Sequence, residues 1–212
     1  MTGGPNPGAL SRAYDWFAAS DSPARADVIF VLAGRHGRKT YGLKLWKDGW
    51  AGTLLLSVDR FEIRRFSTLR LPAPLDLVSI ASGTEPGQRH YFVEIQNGKV
   101  DAQRIAVGRF GTWAEIVGFS DWLRVNDQVR SAMIVSSGFH LRRVRMCCRK
   151  LVGDGARLTF IAVPNESRYF RRFWWRNAKA LKLVFSEFMK IGIYWWLCHR
   201  WMSKGRHEEV PA

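Results

Sequence analysis

DVIFVLAGRHGRKTYGLKLWKDGWAGTLLLS, residues 27–57, is the stretch that determines the fold. The run DVIFVLA at 27–33 is apolar and rich in β-branched residues, which predicts a strand buried on both faces. GRHG at 34–37 is a turn, residues 38–48 predict a helix, and TLLLS at 53–57 predicts a second buried strand. A strand, a helix and a strand within about 30 residues form a βαβ unit, so the first two strands should be parallel.

The second half of the chain repeats this alternation. SAMIVS at 131–136 and RLTFIAV at 157–163 predict two further buried strands, and residues 138–151 predict the helix between them. HYFVEI and KVDAQRIAV, joined by QNG, predict a hairpin over 90–107 that is inserted into the alternating plan. We therefore expect an α/β, Rossmann-like, three-layer domain with a mainly parallel sheet, a small hairpin insertion and a long C-terminal helix.

Other segments give weaker patterns. Residues 10–19 predict a short helix, and LDLVSIA at 75–81 is a possible strand in an irregular connection. Residues 171–202 predict the long C-terminal helix, with an apolar stripe toward the core formed by Leu181, Val184, Phe185, Phe188, Ile191 and Trp195. We expect one domain over 9–203, between a flexible lead-in at 1–8 and a polar tail at 204–212.

Composition limits the class of protein. The chain has 212 residues, of which 47% are hydrophobic, which is enough for one core. It begins with neither a signal peptide nor an apolar run of about 20 residues, and its three cysteines favour a reducing compartment. We therefore expect a cytoplasmic protein, with peripheral contact to the inner membrane as a further possibility. No Cys/His spacing indicates a metal site, and no motif identifies a cofactor.

The charge is strongly positive and unevenly distributed. Lys and Arg number 33 against 18 Asp and Glu, a formal net charge of +15, and the segment from Arg142 onward carries +11 of it. Such a balance indicates a polyanion, a phosphorylated ligand or simply a solvated basic face. Near the C-terminus five tryptophans lie among arginines and lysines, and they suit an anionic membrane, stacking on single-stranded nucleic acid, or the core. Nucleic acid ranks last because no recognised binding motif accompanies the charge. These tryptophans are Trp174, Trp175, Trp195, Trp196 and Trp201.

Polar residues follow three predicted strands or open the next helix, where a parallel sheet places its ligand crevice. Each group also has a structural interpretation. In that interpretation the glycines serve only the turn, Thr112 and Glu115 have the spacing of a capping box, and Ser137 caps a helix whose arginines are solvated. The three groups are Gly34, Arg35, Gly37 and Arg38; Thr112 and Glu115; and Ser136, Ser137, His140, Arg142 and Arg143.

Glu187 is the one acid in the long C-terminal helix and adjoins the predicted apolar stripe. An unpaired carboxylate would be costly there. Either an arginine from the strand ends pairs with it, or it lies at the surface and pairs with Lys190 three residues on.

These stretches, in this order, resemble the bacterial DUF218 family, also called YdcF-like, which includes the SanA- and ElyC-type envelope proteins. The stretches are ADVIFVLAGRHGRKTYGLKLWKDGWAGTLLLS, GTWAEI, MIVSSGFHLRRVRM and FSEFMKIGIYW, and the His element is the most specific. The resemblance implies a Rossmann-like domain and a role in envelope chemistry. Family members commonly carry an N-terminal membrane helix that this sequence does not show, and the hairpin is a second departure.

The leading interpretation is an enzyme or ligand-binding protein acting on an anionic, phosphorylated, envelope-related small molecule or lipid. His140 would be the acid/base, Arg38 and Arg143 would hold the anion, and Glu187 would orient one of the arginines. We place His140, Glu187 and Glu115 in the catalytic group, and Gly34, Arg35, Arg38, Thr112, Ser136, Ser137 and Arg143 in the ligand-binding group. The alternative is a non-catalytic module that docks on a membrane or nucleic acid through its basic, Trp-rich C-terminus.

Overall fold

The computed structural model describes residues 16, 20–108, 110–164 and 174–203, and only the backbone of 174 and 201–203. The predicted lead-in at 1–8, all of the predicted helix at 10–19 except Trp16, and the tail at 204–212 lie outside the described residues. The elements within them are β1 (Val28–Val31), α1 (His36–Lys47), β2 (Thr53–Asp59), α2 (Ile63–Phe66), α3 (Leu77–Ser82), β3 (His90–Gln96), β4 (Lys99–Arg104), α4 (Gly111–Val125), β5 (Ser131–Ser136), α5 (Gly138–Leu151), β6 (Arg157–Ala162) and α6 (Ala178–Ser203), with 3-10 turns at Pro86–Gln88 and Trp174–Arg176.

Six strands form one mixed sheet in the order β4-β3-β2-β1-β5-β6. The four strands predicted to be parallel are parallel: β1 pairs with β2 and β5, and β5 pairs with β6. The predicted hairpin is also confirmed, and β3 extends the sheet by pairing antiparallel with β2. Its turn has Asn97 and Gly98 at φ 51° and 76°, the left-handed conformations that a two-residue hairpin turn requires.

Helices cover both faces of the sheet, as a three-layer domain requires. Alternate residues of β1 belong to opposite cores, with Val28 and Phe30 on one face and Ile29 and Val31 on the other. The first core is closed by α4, α5 and α6, and the second by α1, α2 and α3. Because both faces are covered, the central strands can be apolar throughout, which explains their unbroken apolar runs.

The strands that follow in the chain are added to the sheet on both sides of β1. From β1 it passes through α1 to β2 on one side, and it later returns through α4 to β5 on the other side. The helices that follow neighbouring strands β1 and β5 therefore lie on opposite faces, and a crevice opens between the carboxyl ends of these strands. Open α/β sheets bind ligands at this kind of switch point.

The possible strand at 75–81 is wrong. Residues Leu77–Ser82 form α3, and the Asp76 side chain accepts a hydrogen bond at 3.0 Å from the Ser79 backbone N–H. A capped N-terminus satisfies a donor that a helix would otherwise leave unpaired, which favours this short helix over an extended segment.

The C-terminal helix begins later than predicted and turns a different face to the core. The Asn177 side chain accepts hydrogen bonds from the backbone N–H groups of Lys179 and Ala180, so it caps α6. The buried face of α6 consists of Ala180, Glu187, Tyr194 and Cys198. Four of the six residues predicted to face the core are instead exposed, and Val184 and Ile191 are half-buried. The exposed four are Leu181, Phe185, Phe188 and Trp195.

No helix among the described residues is both long and apolar enough to cross a bilayer.

Candidate functional site

A cavity of about 500 Å³ opens at the switch point, beyond the carboxyl ends of β1, β2 and β5. It contains four arginines and two carboxylates together with two histidines. Seven of the ten residues predicted for the site line it, namely Gly34, Arg38, Thr112, Glu115, Ser136, His140 and Arg143. Other lining residues are Leu32, Ala33, Asp59, Arg60, Phe61, Gly87, Arg89, His90, Val107, Gly111 and Val144.

Arg143 is the centre of a hydrogen-bonded array in the cavity wall. Its Nε donates to Glu187 Oε2 at 3.1 Å, and another of its nitrogens donates to the Thr112 hydroxyl. Its guanidinium also lies 4.9 Å from the ring centroid of Tyr194, within the range of a cation–π contact. Arg143 is buried, so these contacts fix its guanidinium in one orientation at the edge of the cavity.

Glu187 lies behind the cavity wall, completely buried. Its Oε2 is 3.1 Å from His140 Nδ1 as well as from Arg143, and its Oε1 accepts from Lys190 Nζ at 2.8 Å. Both alternatives predicted for its partner therefore occur, but the prediction of a surface carboxylate is wrong. A buried carboxylate needs several donors, and two residues of α5 and one of α6 supply them here.

The array sets the protonation states of His140 and Glu187. Burial alone would raise the pKa of Glu187, but the interactions with His140, the positive charge of Arg143 and the hydrogen bond from Lys190 hold that pKa well below its usual range. Burial, with Arg38 and Arg143 nearby, lowers the pKa of His140 despite the opposing effect of Glu187. His140 is therefore neutral near pH 7. His140 Nδ1 lies 3.1 Å from both Glu187 Oε2 and Arg143 Nη2. In the tautomer whose Nδ1–H donates to the Glu187 carboxylate, Nε2 is the nitrogen that accepts a proton.

Arg38 faces the same cavity from α1. Its Nε donates to the Ser137 hydroxyl at 3.0 Å, and its Nη1 donates to the Ala33 carbonyl. Gly34 makes this position possible, because a Cβ atom there would lie 2.6 Å from Arg38 Nη1. The backbone of Gly34 also has φ 136°, which L-residues rarely adopt.

Two carboxylates hold the turn after β1. The Ala33 N–H donates to Glu115 Oε1 at 2.7 Å, and the Gly34 N–H donates to Glu62 Oε2 at 2.9 Å. The Gly34 N–H is therefore hydrogen-bonded within the protein, although Gly34 lines the cavity. The capping-box interpretation of Thr112 and Glu115 is wrong: α4 has Phe110 at its N-cap and no side-chain cap.

Ser136, the last residue of β5, is fully buried and lines the cavity. Its Oγ has no hydrogen-bond partner among the described residues. A buried hydroxyl without a partner costs about 1–3 kcal/mol, so a polar group bound in the cavity would gain a hydrogen bond from Ser136.

Three helices of twelve or more residues begin around the cavity. These are α1, α4 and α5, and in the described structure none of them has a side-chain hydrogen bond at its N-cap. Ser137 occupies the N-cap of α5, as one interpretation predicted, but its hydroxyl binds Arg38. Helix N-termini carry partial positive charge and favour anions.

Three of the predicted site residues do not line the cavity. Ser137 and Glu187 act on it indirectly, through Arg38 and Arg143. Arg35 is exposed outside the cavity, at the N-cap of α1.

The sequence reasoning missed a second histidine. His90 is buried, lines the cavity, and has its Nε2 2.7 Å from Ser57 Oγ and 4.0 Å from Glu115 Oε1. His90 is the first residue of β3. Because β3 is antiparallel to β2, the N-terminal end of β3 lies at the same edge of the sheet as the carboxyl end of β2. Asp59 and Arg60, at that end of β2, and Arg89 were also missed, although the rule that ligands bind at strand ends applies to them equally.

Tyr194 was missed as well. It lies seven residues after Glu187, which is two helical turns, and so on the same face of α6. The seven-residue spacing from Glu187 was the sequence signal that could have placed Tyr194 near the site.

The described residues include no group of three or more His, Cys, Asp or Glu side chains placed to hold a metal ion. Comparison of the chain with protein-family models, with curated proteins and with solved structures gave no match. The resemblance to the DUF218 family stays a prediction.

Proposed function

We propose that the cavity at the switch point binds the phosphate group of a phosphorylated small molecule or lipid. The observation that carries this proposal is the convergence of three helix N-termini on a cavity with an excess of positive charge, since four arginines line it against two carboxylates. Both features favour a compact anion with several acceptor oxygens.

Two details favour phosphate over a simple carboxylate. Arg38 and Arg143 enter from different helices, so they suit oxygens that point in different directions. The Ser136 hydroxyl, which has no hydrogen-bond partner within the described part of the chain, supplies a third donor in the same cavity. The resemblance to the DUF218 family adds the expectation that the ligand is envelope-related.

His140 is the proposed acid/base. As a base, its neutral ring takes the proton of an attacking hydroxyl or water at Nε2, and Glu187 stabilises the resulting imidazolium through Nδ1–H. The proton then passes to the leaving oxygen. Arg38 and Arg143 stabilise negative charge on the phosphate, which is the largest contribution that a protein makes in phosphoryl transfer.

Calorimetric titration with inorganic phosphate and pyrophosphate tests the binding part. Arg38→Gln should weaken binding about tenfold or more, since hydrogen bonds to charged groups contribute about 1.5–3 kcal/mol. Arg149→Gln is the matched control, because Arg149 is an exposed arginine of α5 that does not line the cavity. Equal affinities in both variants, or no binding of either anion by the unaltered protein, would contradict the proposal.

Hydrolysis of an aryl phosphate separates an enzyme from a binding protein. His140→Gln should abolish turnover and retain phosphate binding, because the ring is not the principal anion ligand. If the unaltered protein binds phosphate but releases no product from any phosphoester tried, the site is a binding site and His140 is not an acid/base.

A further inference from the structure

The C-terminal helix α6 exposes a continuous apolar face. Its large side chains are 44–68% exposed, and they lie opposite the buried residues Glu187 and Tyr194. Their spacing of three, four and seven residues places them along one side of the helix. This apolar face consists of Leu181, Phe185, Phe188, Met189, Ile193, Trp195 and Trp196.

The exposed charges of α6 are all positive. Its one acid, Glu187, is completely buried. Lys182 and Arg200 are exposed and project from the helix beside the apolar face, while Lys179 and Lys190 lie farther round. The solvent-facing side of this helix therefore combines apolar side chains with positive charge alone.

The chemistry of the face selects its partner. A second copy of the chain would bring another net charge of +15 and the same lysines against these, which disfavours self-association. Stacking on nucleic-acid bases would use the tryptophans and phenylalanines but would leave Leu181, Met189 and Ile193 without a function. An anionic bilayer matches the whole set, because its surface attracts the bases and its interface takes up aromatic and aliphatic side chains.

We propose that the apolar face of α6 binds the surface of an anionic lipid bilayer, with the helix lying parallel to the membrane plane. The proposal is independent of the phosphate site, because the opposite, buried face of the same helix is the one that contacts the cavity wall, where Glu187 and Tyr194 touch Arg143. One helix thus presents one face to the cavity wall and the other to lipid.

Vesicle co-sedimentation tests this. Vesicles of phosphatidylcholine and phosphatidylglycerol in equal parts should bind the full chain, pure phosphatidylcholine should bind it much more weakly, and added salt should reduce binding. Phe185→Glu should lower partitioning about tenfold or more, because it replaces an apolar contact with a negative charge. Val125→Glu, on α4, is the matched control: Val125 is 83% exposed, so the change in charge is the same and binding should persist.

Each outcome decides the proposal. Equal binding of Phe185→Glu and Val125→Glu, or equal binding to neutral and anionic vesicles, overturns it. If the unaltered protein is a dimer that Phe185→Glu converts to a monomer, the face binds a second copy and the proposal is overturned. If the unaltered protein binds an oligonucleotide but no vesicles, and Phe185→Glu abolishes that binding, the face binds nucleic acid and the proposal is likewise overturned. Arg38→Gln should leave vesicle binding unchanged, and a parallel loss would mean that the cavity, not the face, recognises the lipid. An unaltered free energy of unfolding shows that Phe185→Glu is folded.

Discussion

Glu187 Oε2 lies 3.1 Å from Arg143 Nε, and both side chains are buried. This ion pair joins the C-terminal helix to the cavity wall across 44 residues of sequence. It also explains why a carboxylate occupies the core-facing side of an otherwise apolar helix: it fixes the orientation of an arginine that faces the cavity. The pair therefore matters both for stability and for the site.

Removing the Glu187 carboxylate should lower the free energy of unfolding. Glu187→Ala leaves Arg143 buried without its acid partner, so we expect a loss of about 3–5 kcal/mol in the free energy of unfolding. Lys190→Ala is the control, since Lys190 contacts the same carboxylate but is 45% exposed, and we expect a loss below about 1 kcal/mol. Urea unfolding of the three proteins measures both. Similar losses for the two variants would show that the Arg143 contact contributes little.

Stability should fall as the pH is lowered. The pKa of His140 in the folded state lies below its ordinary value of 6.5, so the unfolded chain binds more protons below that pH and the free energy of unfolding declines. Arg38, Arg143 and Glu187 are the charged groups that act on this ring. His140→Gln should flatten the decline that begins below about pH 6.5. Denaturant unfolding across this range checks the slope, and an unchanged slope in the variant would rule out His140 as its source.

A second decline should begin at lower pH. The folded-state pKa of Glu187 lies below its ordinary 4.5, so the carboxylate stabilises the fold above that pH and its contribution is lost as the pH falls through the folded value. Glu187→Gln removes this titration, and its stability should vary less with pH below about 4.5 than that of the unaltered protein. Parallel curves for the two proteins would contradict the depressed pKa.

The two glycines of the turn after β1 should differ in their effect on ligand binding. Gly34→Ala strains the backbone and places a Cβ against Arg38, so phosphate affinity should drop about tenfold. Gly37→Ala meets nothing within 4 Å and should bind phosphate normally. Calorimetry of the pair gives the comparison, and equal affinities would mean that Arg38 is not an anion ligand.

Alanine substitution at two helix glycines should change the free energy of unfolding in opposite directions. A Cβ at Gly42 of α1 would lie 2.3 Å from the Val31 side chain on buried β1, so Gly42→Ala should cost about 1–3 kcal/mol. At Gly192 of α6 a Cβ meets nothing within 4 Å, and Gly192→Ala should stabilise the protein by about 0.5–1 kcal/mol. Thermal unfolding distinguishes the two, and destabilisation by both would show that the face of α6 at Gly192 is covered.

Replacing Ser136 with alanine should raise the free energy of unfolding and lower the affinity for phosphate. Ser136→Ala removes a buried hydroxyl that has no partner among the described residues, so the free energy of unfolding should rise by about 1 kcal/mol. Phosphate affinity should fall in the same variant, because a donor is lost from the cavity. A variant that is both less stable and unchanged in affinity would place the hydroxyl in a structural role.

The sequence by itself determined the sheet. Unbroken apolar runs such as Val28–Val31 fit only strands covered on both faces, and Asn97-Gly98 fits the hairpin turn. Because the carboxyl ends of parallel strands meet at one edge, the sequence also indicated that Gly34, Ser136 and His140 would lie near one another.

Only the tertiary structure decided which side of α6 faces the core and what the polar residues contact. α6 has apolar residues on more than one side, so its periodicity alone could not choose between Phe185 and Tyr194 for the core. That choice follows from long-range partners, because the face carrying Glu187 must meet Arg143 and His140 for the carboxylate to be buried at all. Likewise Thr112 and Glu115 have the spacing of a cap, yet each binds a group distant in sequence, which no local pattern encodes.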